Sequence, residues 1–487
     1  MCGINGIIFK NNIIEFDKIN QMNSMLKHRG PDLSGSLSHK NILLGHTRLS
    51  ILDTSSKGAQ PMSNDGRYWI VYNGEVYNYL ELREELLKKN HQFYTNTDTE
   101  VILCAYKEWG IKSFEKFNGE WALSILDKKE NELIISRDGI GYKPCYFYED
   151  SNYFSFSSEI KPFYCLKKNL DFDNSNLGIS PETLSYSGKT AFKNITQLTQ
   201  GRVLKINLNT NEKKLIRWDY PLSNLPNTSP SYKNNTENYF ELLKDATKIR
   251  LRSDVQIGTS LSGGLDSSAI FSLLNTLDEE KSYNNKLNLN PIIMNYKNMK
   301  SKNEALELTN MYKKDALLIE DKEEDIEQTK NIISKLEITE EFFMQYNLYH
   351  NQKKRGIKVS IDGHGSDEFL GYPQYFPEYS VDIYNNMICN HEAITKFGNQ
   401  RSILRLKNLF GLKNEMPKEI KFKPVPDTVN YFSSYLENKK YNSEFLIIDE
   451  DLEELGDYSY SLAFTYLISY CGWFQFFLNK WDRASMS

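Results

Sequence analysis

The chain lacks the paired cysteines of a disulfide-stapled or zinc-stapled protein. Its six cysteines, Cys2, Cys104, Cys145, Cys165, Cys389 and Cys471, form no C-x-x-C pair and have no histidine at zinc-ligand spacing. That argues against both a disulfide framework and a structural metal. A basic excess is missing too: 59 Lys and Arg face 64 Asp and Glu, for a net charge of -5. A phosphate backbone would demand the opposite balance, so no nucleic-acid partner is expected. The N-terminus shows no basic stretch followed by a long apolar one, so no secretory signal is read. These absences fit a reducing, cytoplasmic setting. One uncharged run, Tyr458 to Asn479, could span a bilayer by length. Its Ser, Thr, Gln and Tyr content reads instead as a buried core helix, with no membrane partner.

What is present is organised in two parts. With 487 residues and 40% apolar content, the chain is expected to form two domains. Up to about residue 205, short apolar runs alternate with turn residues, with helices expected at Asn78 to Asn90 and Thr99 to Trp109. This pattern predicts an α+β domain over residues 2-216. The stretch 217-237, rich in Pro, Ser and Asn, reads as a linker. The second domain, 238-487, opens with helical spacing at Tyr239 to Arg252. Apolar strands ending in polar turns follow, which predicts an α/β parallel sheet with ligands at the strand C-termini. Charged segments between Lys302 and Lys335 read as solvated helical faces.

The string "LSGGLDSS", Leu261 to Ser268, sets two glycines between a strand and a helix. Backbone N–H groups there can surround an anion at a helix N-terminus, and Ser262, Ser267 and Ser268 add hydroxyl donors. Asp266 beside a phosphate would repel it unless a divalent cation lies between. The string resembles the pyrophosphate-binding loop of N-type ATP pyrophosphatases. Because G-x-x-x-x-G-K-[ST] is absent, the P-loop kinases and GTPases do not fit. A second acidic turn, "IDGHGSDEFLGY", places Asp367 beyond a later strand, as a second ligand for magnesium.

The N-terminal part carries "MCGINGI", "HRGPD", "GHTRLSILD", "YNGEVYNY" and "NTDTE". Together these resemble the glutaminase domain of class II glutamine amidotransferases, an N-terminal-nucleophile hydrolase sandwich. The two halves in this order resemble the glutamine-hydrolysing asparagine synthetases and their close relatives. The resemblance implies glutamine, ATP and a carboxylate such as aspartate as small-molecule substrates, with Mg2+ as cofactor, and it leaves a homodimer open. It makes Cys2 the nucleophile, with its own α-amine as base once Met1 is removed, and Asn73 and Gly74 the oxyanion donors. Arg48 would hold glutamine's α-carboxylate and Asp98 its α-ammonium, with Glu75 and the backbone of Ile51 and Leu52 completing the pocket. In the second domain Leu261, Ser262, Gly263, Gly264, Asp266, Ser267, Ser268, Met294, Asp362 and Gly363 are the implied ATP contacts, with Asp266 and Asp367 at the metal.

Two departures stand out. His364 occupies a place where that family has a glutamate acting on ammonia or the intermediate. The chain also stops at "NKWDRASMS", where relatives continue, so the pyrophosphatase domain reads as incomplete at its C-terminus. On that reading a lone copy keeps glutaminase activity and lacks synthetase turnover. Two alternatives follow: an amidotransferase acting on another carboxylate, such as a sugar uronate or a peptide side chain, and a degenerate nucleotide-binding regulatory or scaffold protein.

Overall fold

The structure is a computed structural model that describes residues 2–11, 13–176, 188–221, 231–281, 287–295, 301–320, 330, 332–334, 343–366, 369 and 473–486. It divides into two units: Met1–Gly178 with Gly188–His364 and Phe477–Ser487, and Ile179–Ser187 with Gly365–Phe476. Almost all of the second unit lies outside the described residues, including Asp367 and most of the run Tyr458 to Asn479. Among the described residues no helix is long and apolar enough to cross a membrane.

Eleven strands build two antiparallel sheets in the N-terminal part. They are β1 (Gly3–Phe9), β2 (Leu33–His39), β3 (Ile42–Arg48), β4 (Tyr68–Val76), β5 (Gly119–Asp127), β6 (Glu132–Arg137), β7 (Tyr146–Glu149), β8 (Tyr153–Ser157), β9 (Ile195–Gln197), β10 (Arg202–Asn207) and β11 (Lys213–Arg217). One sheet runs β2-β3-β1-β8-β7-β9 and the other β11-β10-β6-β5-β4. Ile4, Ile8, Ile42 and Leu44 of the first pack against Val71, Leu126, Leu133 and Ile135 of the second. The outer face of the first sheet is covered by Ile19 and Met22 of helix α1 (Phe16–Met25). The outer face of the second is covered by helices α2 (Tyr79–Lys88) and α3 (Asp98–Trp109), through residues such as Leu86, Val101 and Ile102. The central strands are therefore covered on both sides, which is why β1 and β3 are buried along their whole length while the edge strands β2 and β11 are partly exposed. This is the α+β sandwich expected, with α2 and α3 close to the predicted spans.

The second half begins with helix α4 (Tyr232–Ile249), where Ser231 caps the first turn by accepting from Asn234 N. Strands β12 (Ile257–Gly258), β13 (Ile292–Asn295), β14 (Leu317–Glu320) and β15 (Val359–Ser360) pair in parallel as β12 with β15 and β13 with β14. A parallel bridge between Ser260 and Ile292 joins the two pairs. Helices α5 (Leu265–Glu279) and α6 (Lys302–Met311) bring Phe271 and Ala305 against Leu261 and Ile293, while Leu348 of α7 (Phe343–Lys354) meets Ile292 and Met294. This is the parallel α/β arrangement the strand–helix alternation implied. A last helix, α8 (Trp473–Met486), returns to the N-terminal part.

One expectation needs correction. The stretch 217-237 is not linker throughout, because Arg217 closes β11 and α4 starts at Tyr232. The first turns of α4 carry Asn, Thr, Lys and Glu on exposed faces, so no apolar period marks them. Of the charged helical segments expected between Lys302 and Lys335, Lys302–Met311 forms α6, and the short run Leu317–Glu320 that follows it forms β14. Its four residues are too short a run to display a period.

Candidate functional site

Strand periodicity gathers much of the first site. Along β1, Ile4 and Ile8 point into the space between the sheets, so Cys2, two residues before Ile4, shares that side. On β3 the same side holds Ile42, Leu44, His46 and Arg48, and on β4 it holds Val71, Asn73 and Glu75. His46 ties the sheets together, its Nε2 lying 3.1 Å from the Tyr72 carbonyl oxygen. Burial lowers its pKa to about 3, so it stays neutral across ordinary pH.

Cys2 Sγ lies 3.8 Å from the Leu49 carbonyl oxygen. Burial pushes the thiol above its ordinary value, and Glu75 adds to this while the Leu49 carbonyl and Arg48 oppose it. Asn73 is fully buried, and neither its Nδ2 nor its Oδ1 has a hydrogen-bond partner. An orphaned amide in a core is costly, about 1–3 kcal/mol, so it marks a place where a ligand completes the bonding. Gly74 cannot carry a side chain, since a Cβ there would lie 2.1 Å from the Glu120 carbonyl oxygen.

Arg48 and Asp98 are each held in place by neighbours of their own. The Arg48 guanidinium donates to the carbonyls of Ser55, Leu52 and Asp53 at 2.7, 3.0 and 2.6 Å, which curls residues 52–55 around it. Asp98, in the first turn of α3, accepts from Tyr72 Oη at 2.8 Å and Val76 N at 3.0 Å through the same oxygen, Oδ2. Burial lifts its pKa to about 6 against those two donors. Glu75 is pushed up further, by burial and then by the Asp98 and Glu120 carboxylates. The Ile51 carbonyl accepts from Asp254 N at 3.0 Å, while Asp53 N donates to Asp254 Oδ2 at 2.7 Å. Asp32 receives both Ser50 N and Lys358 Nζ, at 2.8 and 2.9 Å. The loop around Arg48 is thus fastened by residues of the second half, which sequence reasoning missed. The carbonyls of Ile51 and Leu52 are already engaged, each keeping one lone pair for a ligand.

The second site is a cavity of about 260 Å³ at the C-terminal ends of the parallel strands. Leu261, Ser262, Gly264, Asp266, Ser267, Met294, Gly363 and His364 all line it. The loop is shaped by hydroxyls: Ser262 Oγ and Ser267 Oγ are 2.8 Å apart, and Ser301 Oγ, from the start of α6, donates to the Ser262 carbonyl at 2.6 Å. Gly263 has φ +76, and a Cβ there would lie 1.9 Å from the Ser301 carbonyl oxygen, so only glycine fits. At Gly363 a Cβ would meet the Asp266 backbone at 2.6 Å, so the two strand-end turns touch.

Gly263, Ser268 and Asp362 are not among the lining residues. The Asp362 carboxylate is instead turned to the strand ends, accepting from Ser260 N and Oγ at 2.8 and 2.5 Å and from Ser360 Oγ at 2.9 Å. Among the described residues no group of three or more His, Cys, Asp or Glu is arranged to hold a metal ion. Asp266 is the one acidic side chain on the cavity wall among those residues. That suffices for magnesium carried in with phosphates, which uses one or two carboxylates. The His364 ring packs at a 44° tilt against Trp481 of α8, with 5.0 Å between ring centres.

Comparison with known proteins agrees with both halves. A glutamine amidotransferase domain family matches residues 1–218, and an asparagine synthase family matches residues 238–486. A candidate asparagine synthetase [glutamine-hydrolyzing] 2 from Methanocaldococcus jannaschii is 36% identical over 423 residues, 79% of this chain and 78% of that one. Asparagine synthetase [glutamine-hydrolyzing] 3 of Bacillus subtilis is 35% identical over 280 residues, 55% of this chain and 44% of that one. Among solved structures, glutamine phosphoribosylpyrophosphate amidotransferase from B. subtilis matches with a TM-score of 0.35 and 14% identity, covering 66% of this chain and 81% of that one. The matched region thus spans less than half the length of the Bacillus synthetase and over three quarters of the archaeal one. With an amidotransferase half followed by a synthase half, the chain belongs to the glutamine-hydrolysing asparagine synthetase family.

Proposed function

We propose that this chain uses glutamine as a nitrogen source to amidate a carboxylate activated by ATP, with aspartate as acceptor and asparagine as product. The observation that carries the glutaminase part is Asn73, a fully buried amide with no partner beside the strand that bears Cys2. In this reading Cys2 attacks the carboxamide carbon of glutamine. Its α-amine, freed by removal of Met1, takes the thiol proton. A free α-amine has a pKa of roughly 7.7 to 8, well matched to a thiol near 8.5, although burial raises the thiol and makes that base necessary. Asn73 Nδ2 and the Gly74 N–H stabilise the oxyanion as the tetrahedral centre forms. Collapse gives a thioester and ammonia, and water then releases glutamate. Arg48 receives the α-carboxylate, Asp98 offers its carboxylate to the α-ammonium, and Glu75 with Ile51 and Leu52 closes the pocket.

At the strand ends, backbone N–H groups of Ser262 to Ser268 take the β- and γ-phosphates. The aspartate β-carboxylate attacks the α-phosphorus and expels pyrophosphate. Ammonia then attacks the β-aspartyl carbonyl and expels AMP. Magnesium, when bound, offsets phosphate charge, and Asp266 with Asp367 would hold it. In this reading His364, which lines the cavity, takes a proton from the incoming ammonia. Cytoplasmic placement and a homodimer belong to the same reading.

The test incubates the protein with glutamine, magnesium-ATP and either aspartate or a panel of other carboxylates, following glutamate, pyrophosphate and amide. Pyrophosphate that depends on aspartate supports the proposal. Pyrophosphate released only with another carboxylate replaces the acceptor, an outcome for which His364 is the motivating residue. Cys2→Ala should abolish glutamine use and spare any reaction with free ammonium; loss of both would refute the two-site reading.

A further inference from the structure

Helix α8 is remote from Cys2 in sequence, yet one side chain joins them. Arg29 is fully buried, and its Nε donates to the Cys2 carbonyl oxygen at 3.1 Å. The other edge of the same guanidinium grips Asp482 of α8, with Nη1 at 2.7 Å from Oδ2 and Nη2 at 2.9 Å from Oδ1. Nη1 also donates to Glu159 Oε1 at 3.0 Å, an oxygen that lies 2.7 Å from Arg483 Nη1 and 3.0 Å from His28 Nε2. Two residues of α8 thus enter a buried charge cluster whose centre rests on the peptide of the nucleophile.

The cluster is strongly interacting. Burial by itself would raise the Asp482 carboxyl, but Arg29 beside it brings it below the ordinary range. Glu159 is likewise held well below that range, where Arg483, His28 and Arg29 outweigh burial. None of these side chains lines the nucleotide cavity or takes part in the glutamine chemistry derived above. Their common member is a guanidinium, which is planar and presents its five donors in a rigid fork. Tilting that plane to follow Asp482 must move Nε, and with it the Cys2 carbonyl. The thiol sits on the same residue, so its aim at the carbon held against Asn73 changes too.

We infer that Asp482 is a positioning residue for glutamine hydrolysis: through Arg29 it fixes the Cys2 peptide, so the docking of α8 sets the alignment of the nucleophile. The inference rests on the reading of Cys2 as nucleophile. It gives the synthase half a direct hold on the reaction that supplies its ammonia.

The experiment compares the full chain with Asp482→Asn, Asp482→Glu, Arg29→Lys and Cys2→Ala. Glutamate release is measured as kcat and KM per active thiol, counted by stoichiometric alkylation with an electrophilic glutamine analogue, and thermal melts are recorded alongside. Misplacing a reacting atom by about 1 Å costs up to about a hundredfold in rate. Asp482→Asn should therefore lower kcat about ten- to a hundredfold with KM within about twofold, a loss confined to the transition state. Asp482→Glu, which keeps the carboxylate, should recover most of it. Arg29→Lys, which keeps the charge but not the fork, should fall with Asp482→Asn. Parental kcat per thiol in Asp482→Asn, with only the melt lowered, would make the pair a structural fastening and overturn the inference. If Asp482→Asn does not fold, Asp482→Glu and Arg29→Lys decide: equal kcat in both overturns it, and loss in Arg29→Lys alone supports it. Glutamate release that survives Cys2→Ala would strike the nucleophile assignment instead.

Discussion

Replacing Asn73 by leucine should make the protein more stable and less active at once. Leucine has a similar shape, carries no polar atom, and removes a buried amide whose nitrogen and oxygen both lack partners. Each unpaired group costs about 1–3 kcal/mol, and fitting the branched side chain into a packed core gives back about 1 kcal/mol or more. The net expectation is a gain of about 1–3 kcal/mol, seen as a melting temperature raised by a few degrees. Glutamate release should fall by about 10²–10³ in kcat, the usual cost of losing one oxyanion donor. The assay pairs differential scanning calorimetry with initial rates of glutamate formation. A variant that melts lower than the parent while keeping its kcat would refute the reasoning, because it would make Asn73 an ordinary core residue.

Asp98, with its pKa lifted to about 6, gives two effects of opposite sign. Stability from this group is fully present below the ordinary value near 3.8 and is lost as pH rises through about 6, so melts should improve on acidification across that window. Glutamine recognition needs the ionised form, so kcat/KM for glutamine should drop below about pH 6, and Asp98→Asn should erase that inflection. An unchanged pH profile in the variant would remove Asp98 from the pocket. Gly263→Ala forces a Cβ to 1.9 Å from the Ser301 carbonyl oxygen and a left-handed φ onto alanine, so ATP affinity should fall while glutamine hydrolysis persists. Parental ATP affinity by calorimetric titration would contradict the loop assignment.

Much of both sites could be read from the chain because it is written in local pattern. Period-two alternation puts Cys2, Arg48 and Asn73 on facing sides of two sheets. The Ser-Gly-Gly string is contiguous, so it can be recognised without any distant partner. What escaped depends on contacts between remote segments. Arg29 and Asp482 are 453 positions apart, so no spacing rule joins them, although both "HRGPD" and "KWDRASM" drew notice as strings. The inward turn of Asp362 is set by Ser260, another strand's residue, 102 positions away. The start of α4 was hidden for a different reason: its first turns carry no apolar stripe, and a single serine cap marks it.

Asp254 has a consequence for how such enzymes can be taken apart. The loop that curls around Arg48 receives one hydrogen bond from this residue and gives another back, and Lys358 braces Asp32 beneath it. An N-terminal half cut free between residues 221 and 231 would keep Cys2, Asn73 and Gly74, yet the residues that brace the loop around Arg48 would belong to the discarded piece. Such a fragment should need far more glutamine to work. Grafting the amidotransferase half onto a new synthase would then require carrying Asp254 along as part of the joint.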